Sequence, residues 1–179
     1  PEVTILLPVY NAEEFIEEAI ISILRQTYKN FTFLIINDGS TDKTGEIISK
    51  FKEKDSRIEY YQRTNKGLID TLNEGISLCR TELIARMDAD DVALPNRIEH
   101  QLKFILEKDL DICGSQVYLM NSKGRIRGIH SIGLTNSTIL SLYTIFGSFL
   151  VHPSVMGKAS VFKNNKYKDD KTALVVEDY

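Results

Sequence analysis

The sequence predicts an α/β fold, a mostly parallel sheet with helices on both faces. Two observations carry this. Short apolar runs alternate four times with segments whose apolar residues recur at helical spacing. The unusual polar residues fall directly after those runs, at Tyr10-Asn11, Asp38 to Ser40, Asn65 to Gly67 and Asp88 to Asp91. Parallel sheets bind ligands beyond the carboxyl ends of their strands, so four strand ends agreeing weigh more than any one motif.

The first run, VTILLPVYN, reads as a central strand that leaves its sheet near Pro8, because proline cannot donate to a ladder. Phe15, Ile16, Ala19, Ile20, Ile23 and Leu24 then mark a helix, with Asn11 and Glu14 as its capping pair. FTFLII is the second strand, ended by the turn NDGSTD, and Ile47, Ile48 and Phe51 mark the second helix. RIEYY is the third strand; Leu68, Ile69, Leu72, Ile76 and Cys79 mark the third helix. ELIARM is the fourth strand, and Pro95 suits the first turn of a fourth helix carrying Ile98, Leu102 and Ile105. Beyond Leu110 the rhythm changes. DICGSQVYLM and IRGIHSIG read as strands about the turn NSKGR, STILSLYTIFGSFL as a buried helix, and SVMGKASVF as a further strand. No linker, repeat or low-complexity tract interrupts residues 1–179, which are expected to form one domain.

The chain is 42% apolar and 26% charged, as a globular domain is, and its net charge of -3 argues against a nucleic-acid surface. No apolar run approaches the roughly 18 residues a membrane span needs, and no signal-peptide pattern is present. Cys79 and Cys113 sit in apolar settings and read as buried free thiols of a reducing compartment; without a CxxC or a Cys/His cluster, zinc is not expected. The chain begins at Pro1 without methionine and stops at Tyr179, so a longer parent carrying an anchor or second domain is expected.

Within MDADD, three carboxylates crowd into four residues at a strand end. Hard oxygen ligands in that position suit Mg²⁺ or Mn²⁺, which would remove their mutual repulsion. A solvated acidic turn, with Asp91 or Asn96 as a helix cap, is the competing account. Gly39 lets the backbone turn sharply toward a ligand, and Asp38 can accept hydrogen bonds from a base edge. Ser40, Thr41 and Asp42 suit a helix start. Lys66 suits a phosphate or simply solvent. His100 and His130 read as surface residues, and His152 as structural.

These segments together, TILLPVYNAEEFIEEAIISILRQTYKNFTFLIINDGSTD, NKGLIDTLNEGI and ELIARMDADDVALPNRIEHQL, resemble the nucleotide-sugar-binding half of family 2 glycosyltransferases. The likeness covers about residues 1–105 well, and VHPSVMGKASVF and VVEDY more weakly. It implies a GT-A (Rossmann-like) fold with a nucleotide-sugar-binding half, 1–105, and an acceptor-side half, 106–179. It implies that Pro8, Tyr10, Asn11 and Glu13 line the nucleotide pocket beside Gly39, Lys66, Gly67 and Ala89. Asp38 matches the aspartate that reads uracil. Asp88 and Asp90 match the DxD pair, the first at the ribose and the second on a divalent ion, Mn²⁺ or Mg²⁺; Asp91 extends the motif. Glu177-Asp178 match the family's ED pair, with Asp178 as catalytic base. Thr71-Leu72 replace a common Ala-Arg pair ahead of Asn73, the QxxRW motif of polymerising relatives would fall after Tyr179, and His152 stands where some relatives place an acceptor-side or metal-proximal residue.

The resemblance thus implies an inverting transferase that takes a UDP-sugar donor and a glycan or lipid-linked acceptor, in surface-polysaccharide or glycoprotein assembly. A cytoplasmic location is expected, at the inner face of the membrane where the acceptor sits there. Two rivals remain. A nucleotidyltransferase that makes sugar nucleotides would need a Gly-rich, basic loop after the first strand, and PVYNAEEF is neither. A non-catalytic module would keep only the nucleotide pocket.

Overall fold

The computed structural model describes residues 2–121, 124–130 and 151–168. Strands β1 (Val3–Val9), β2 (Phe31–Asn37), β3 (Ile58–Gln62) and β4 (Leu83–Arg86) run parallel, in the order β3-β2-β1-β4. Beyond β4 lies β8 (Met156–Lys158), antiparallel to β4 and to the outermost strand β5 (Ile112–Cys113). A separate antiparallel hairpin pairs β6 (Val117–Met120) with β7 (Ile126–His130). Helices α1 (Ile16–Leu24), α2 (Thr44–Lys52), α3 (Leu68–Leu78) and α4 (Arg97–Lys108) fill the expected connections, and a short α5 (Ala159–Asn164) follows β8.

The two-residue period of the strands sorts the core. Val3, Ile5, Leu7, Phe33 and Ile35 face Ile16, Ile20, Ile23, Ile48, Ile98 and Leu102, so α1, α2 and α4 cover one side. Leu6, Leu34, Ile36 and Ile84 face Leu72, Ile76, Ala159 and Phe162, so α3 and α5 cover the other. Gly75 lets α3 come close; an added Cβ there would run into Leu6. Pro8 sits where its missing N–H costs nothing. Leu6 accepts from Met87 on the β4 side and Val9 accepts from Asp38 on the β2 side. The alternation therefore turns Pro8 toward β4, past the last paired residue Leu6.

Several sequence expectations need correction. Asn11 does not cap α1: it holds φ 49°, Phe15 occupies the N-cap, and the Asn11 side chain is spent on the next loop. Pro95 precedes α4 rather than opening it, because the helix begins at Arg97 with Asn96 at its N-cap. DICGSQVYLM divides between two sheets, since only Ile112 and Cys113 reach β8. SVMGKASVF is a strand for three residues and then turns helical. STILSLYTIFGSFL and VVEDY lie outside the described residues. Cys79 and Cys113 are buried free thiols as expected, and burial pushes Cys79 up to about 11, which keeps it protonated.

Asn96 makes no capping bond of its own. Gln26 takes over from 70 residues upstream, fully buried. Its Oε1 accepts from the Ile98 amide at 3.1 Å, while its Nε2 donates to Leu94 at 2.8 Å and Ser22 at 3.1 Å. One amide thus joins α1, the loop after the acidic turn and the start of α4. Gln26→Ala is expected to lower folding stability by about 2 kcal/mol or more, since it strands a donor and two acceptors; urea denaturation would measure it.

Candidate active site at the carboxyl edge of the sheet

The loops after β1 and β2 are laced together by side chains. Asn11 and Ala12 donate their amides to Ser40 Oγ at 2.9 Å and Thr44 Oγ1 at 2.8 Å, and Glu13 to Asp42 Oδ2 at 3.1 Å. In return Asn11 Oδ1 accepts from the Thr41 amide at 2.8 Å, and Glu13 from Lys43 at 2.9 Å. Burial alone would raise the Asp42 carboxyl, but hydrogen bonds from Thr44 and Glu13 outweigh it and hold it below the usual value. Ser40 and Thr41 therefore join two loops instead of simply starting α2, while Asp42 does both jobs, accepting also from Thr44 at 3.0 Å.

Asp38 anchors the third loop. Its Oδ1 accepts from the Lys66 amide at 2.9 Å and its Oδ2 from Gly67 at 2.8 Å, and Arg63 sits 3.0 Å from Oδ1. Asp38 is 3% exposed, so its carboxylate is a buried, charge-assisted clamp on the loop. Each carboxylate oxygen thus accepts one backbone amide, and the Arg63 ion pair on Oδ1 balances the charge. Gly39 is obligatory here. Its φ is 78°, and a Cβ would stand 2.7 Å from the Asn65 amide nitrogen. The Lys66 side chain is exposed, as is the ring of Tyr10, whereas Pro8 is buried. Asn73 is committed within the fold. It exchanges two hydrogen bonds with the Tyr167 backbone, at 2.9 and 3.0 Å, and ties that segment to α3.

Since β1 lies between β2 and β4, Asp38 and the acidic turn flank the end of β1 from opposite sides. Asp88 and Ala89 are half-buried and Asp90 is exposed. Asp91 is the strained member: burial, then Asp88 and Asp90, push its carboxyl up to about 6, against relief from Arg97 and Arg86. The turn is seated on buried cations that sequence reading missed. Arg86 Nη2 stands 3.3 Å from Asp88 Oδ1. Arg97 donates to the carbonyls of Arg86 and Pro153 at 2.7 and 2.9 Å and to Gln101 at 3.0 Å, and burial pushes its guanidinium down to about 10. Nothing in the spacing of Arg86 and Arg97 distinguishes them from surface arginines. Their location inside a parallel strand and at the first turn of an amphipathic helix is the only cue. His152 begins a short 3-10 turn, His152–Ser154, whose carbonyls Arg97 and Gln101 hold, and its ring meets Tyr167 edge-on at 6.0 Å. His100 and His130 are exposed. Glu177 and Asp178 lie outside the described residues.

Among the described residues no three His, Cys, Asp or Glu side chains form a complete cation site. The acidic turn still has the chemistry a divalent ion needs, with hard oxygens whose repulsion the ion relieves. Its remaining ligands would be water and diphosphate oxygens. A shallow apolar groove lined by Leu83, Ile105, Leu106 and Ala159 lies near the opposite, amino end of β4 and takes no part in this chemistry.

Comparison with known proteins gives this edge a context. Residues 4–170 match the model of glycosyl transferase family 2. An uncharacterized glycosyltransferase of Rickettsia conorii is 36% identical over 170 residues, 94% of this chain and 28% of the relative. The O-antigen biosynthesis glycosyltransferase WbnJ of Escherichia coli is 31% identical over 160 residues, 89% of this chain and 62% of the relative. S. aureus TarS 1-349, solved in complex with UDP-GlcNAc, superposes with a TM-score of 0.75 at 22% identity, over 92% of this chain and 47% of that one. The mannosyltransferase PcManGT of Pyrobaculum calidifontis, solved with GDP-Man and Mn²⁺, gives 0.70 at 15% identity, over 94% and 48%. The two solved structures share the fold; this chain spans only part of each relative's length.

The Asp91 shift has a readable sign. The folded carboxyl holds its proton more tightly than the unfolded one, so stability falls as pH rises from 3.8 to about 6 and stays reduced above that. Asp91→Asn is expected to be more stable than the wild type at pH 8, by up to about 3 kcal/mol, and to converge with it near pH 4. Paired urea melts at the two pH values check this.

Proposed function

The chain belongs to glycosyl transferase family 2, and from that premise we propose that it moves a sugar from a UDP-sugar to a hydroxyl of a glycan or lipid-linked acceptor. The observation that carries the reading is the pairing of the Asp38 clamp with the acidic turn on either side of β1. A nucleotide lying across that edge meets base recognition on the β2 side and charge handling on the β4 side. The acceptor capacity left on Asp38 suits a base with a ring N–H, as uracil has at N3. The exposed Tyr10 ring offers a stacking face, with Lys66 and Gly67 at the loop Asp38 holds. Asp88 and Asp90 would hold Mn²⁺ or Mg²⁺ over the diphosphate, with Ala89 between them. The ion supplies neutralisation of the charge that develops on the leaving nucleoside diphosphate.

Asp178 is proposed as the general base. The acceptor oxygen attacks the anomeric carbon as its proton passes to the Asp178 carboxylate, and the bond to the diphosphate oxygen breaks on the opposite face. One displacement inverts the anomeric centre and needs no second nucleophilic carboxylate. On this reading residues 1–105 serve the donor and residues 106–179 the acceptor, in one domain. Surface-polysaccharide assembly at the inner face of a membrane is the proposed setting; among the described residues no helix is long and apolar enough to cross one.

A nucleotidyltransferase is the weaker reading. The amides of Asn11, Ala12 and Glu13, which would have to cradle a triphosphate, are already committed to Ser40, Thr44 and Asp42.

Calorimetric titration with UDP decides the donor. Binding that requires Mn²⁺ and weakens at least about tenfold in Asp90→Ala is expected, given the charge lost. A folded wild type that ignores UDP in the presence of Mn²⁺ would sink the UDP reading. Asp178→Asn is expected to keep UDP affinity while transfer to acceptor falls by about 100-fold or more; equal loss of both would remove Asp178 from the role of base.

A further inference from the structure

Beneath the acidic turn lies a buried cation that the proposed reaction does not use. Arg86, the last residue of β4, is 4% exposed. It reaches Asp88 with Nη2 at 3.3 Å, while its Nε and Nη1 are buried with no hydrogen-bond acceptor. Such donors are costly to bury unsatisfied, and a charged one more so. Arg97 is packed against the same place, held through the Arg86 carbonyl at 2.7 Å. Three carboxylates, Asp88, Asp90 and Asp91, thus share their turn with two fixed guanidinium groups. The chain has partly neutralised its own cluster from below.

We propose that Arg86 is a positioning residue that makes divalent-cation binding at the acidic turn conditional on the donor's diphosphate; this rests on the donor-site reading above. Arg86 already engages one oxygen of Asp88. Its charge also cancels part of the attraction a bare ion would feel. A divalent ion arriving alone therefore meets a depleted site. A nucleoside diphosphate brings new negative charge and oxygen ligands, and it is attracted to the same guanidinium that repels the ion. Metal and nucleotide then each raise the other's affinity by the same factor, as linkage requires. A purely structural arginine would behave differently: its loss would weaken both ligands together.

The test titrates the 179-residue chain with Mn²⁺ alone, followed by the resonance of free Mn²⁺, and then with UDP at low and saturating Mn²⁺. Arg86→Met is expected to bind Mn²⁺ alone about tenfold tighter than the wild type, and the enhancement of UDP affinity by Mn²⁺ should shrink by a similar factor. Arg86→Lys, which keeps the charge, should stay near the wild type in both. If Arg86→Met shows no cooperative melt, Arg86→Gln, which retains hydrogen bonding without charge, takes its place. A folded Arg86→Met or Arg86→Gln that binds Mn²⁺ alone no tighter than the wild type overturns the proposal. A wild type that binds no UDP even with Mn²⁺ overturns the donor-site reading instead, and the two Mn²⁺-only affinities still decide the electrostatic role of Arg86.

Discussion

Backbone amides beyond the carboxyl ends of parallel strands have no strand to pair with, and the rest of this structure depends on how they are satisfied. Here side chains of the next loop do it. Ser40, Asp42 and Thr44 take the amides after β1, and Asp38 takes those after β3. An unpaired buried amide is too costly to leave, so each loop is fixed by its neighbour. A rigid edge results, built from connecting segments that would otherwise be mobile.

The same economy explains why polar residues at this edge do not all face a ligand. Asn11, Glu13 and Asp42 hold the frame. Asp38 belongs to the frame as well, each of its oxygens accepting a loop amide while Arg63 pairs with Oδ1. Tyr10, Lys66 and Asp90 stay exposed at the same edge. A residue that matches a binding motif can thus act first through the loop it secures. Substituting it would disturb binding even where direct contact is slight.

The acidic turn is held in the opposite manner, by cations and amides from below. Gln26 and Arg97 fix its two flanks through main-chain carbonyls and an amide, and Arg86 meets it directly. Repulsion among three close carboxylates would otherwise open the turn. Seating them on buried guanidinium groups keeps the turn closed while leaving Asp90 exposed.

The sequence by itself determined the layered α/β fold, because strand and helix periods are local and four repeats of them leave few topologies. It also located the edge: Asp38, Gly39 and the Asp88–Asp91 cluster stand out through composition directly after apolar runs. Tertiary structure alone decided which polar side chains are spent on the frame. Asn11 reads as a helix cap because Glu14 is three residues away, yet its real partner is Thr41 on another loop. Gln26 and Arg86 read as ordinary polar residues, yet one caps a helix from 72 positions away and the other sits buried under an acidic turn. Such partnerships follow from which loops the sheet order β3-β2-β1-β4 brings side by side, and no local spacing encodes that order.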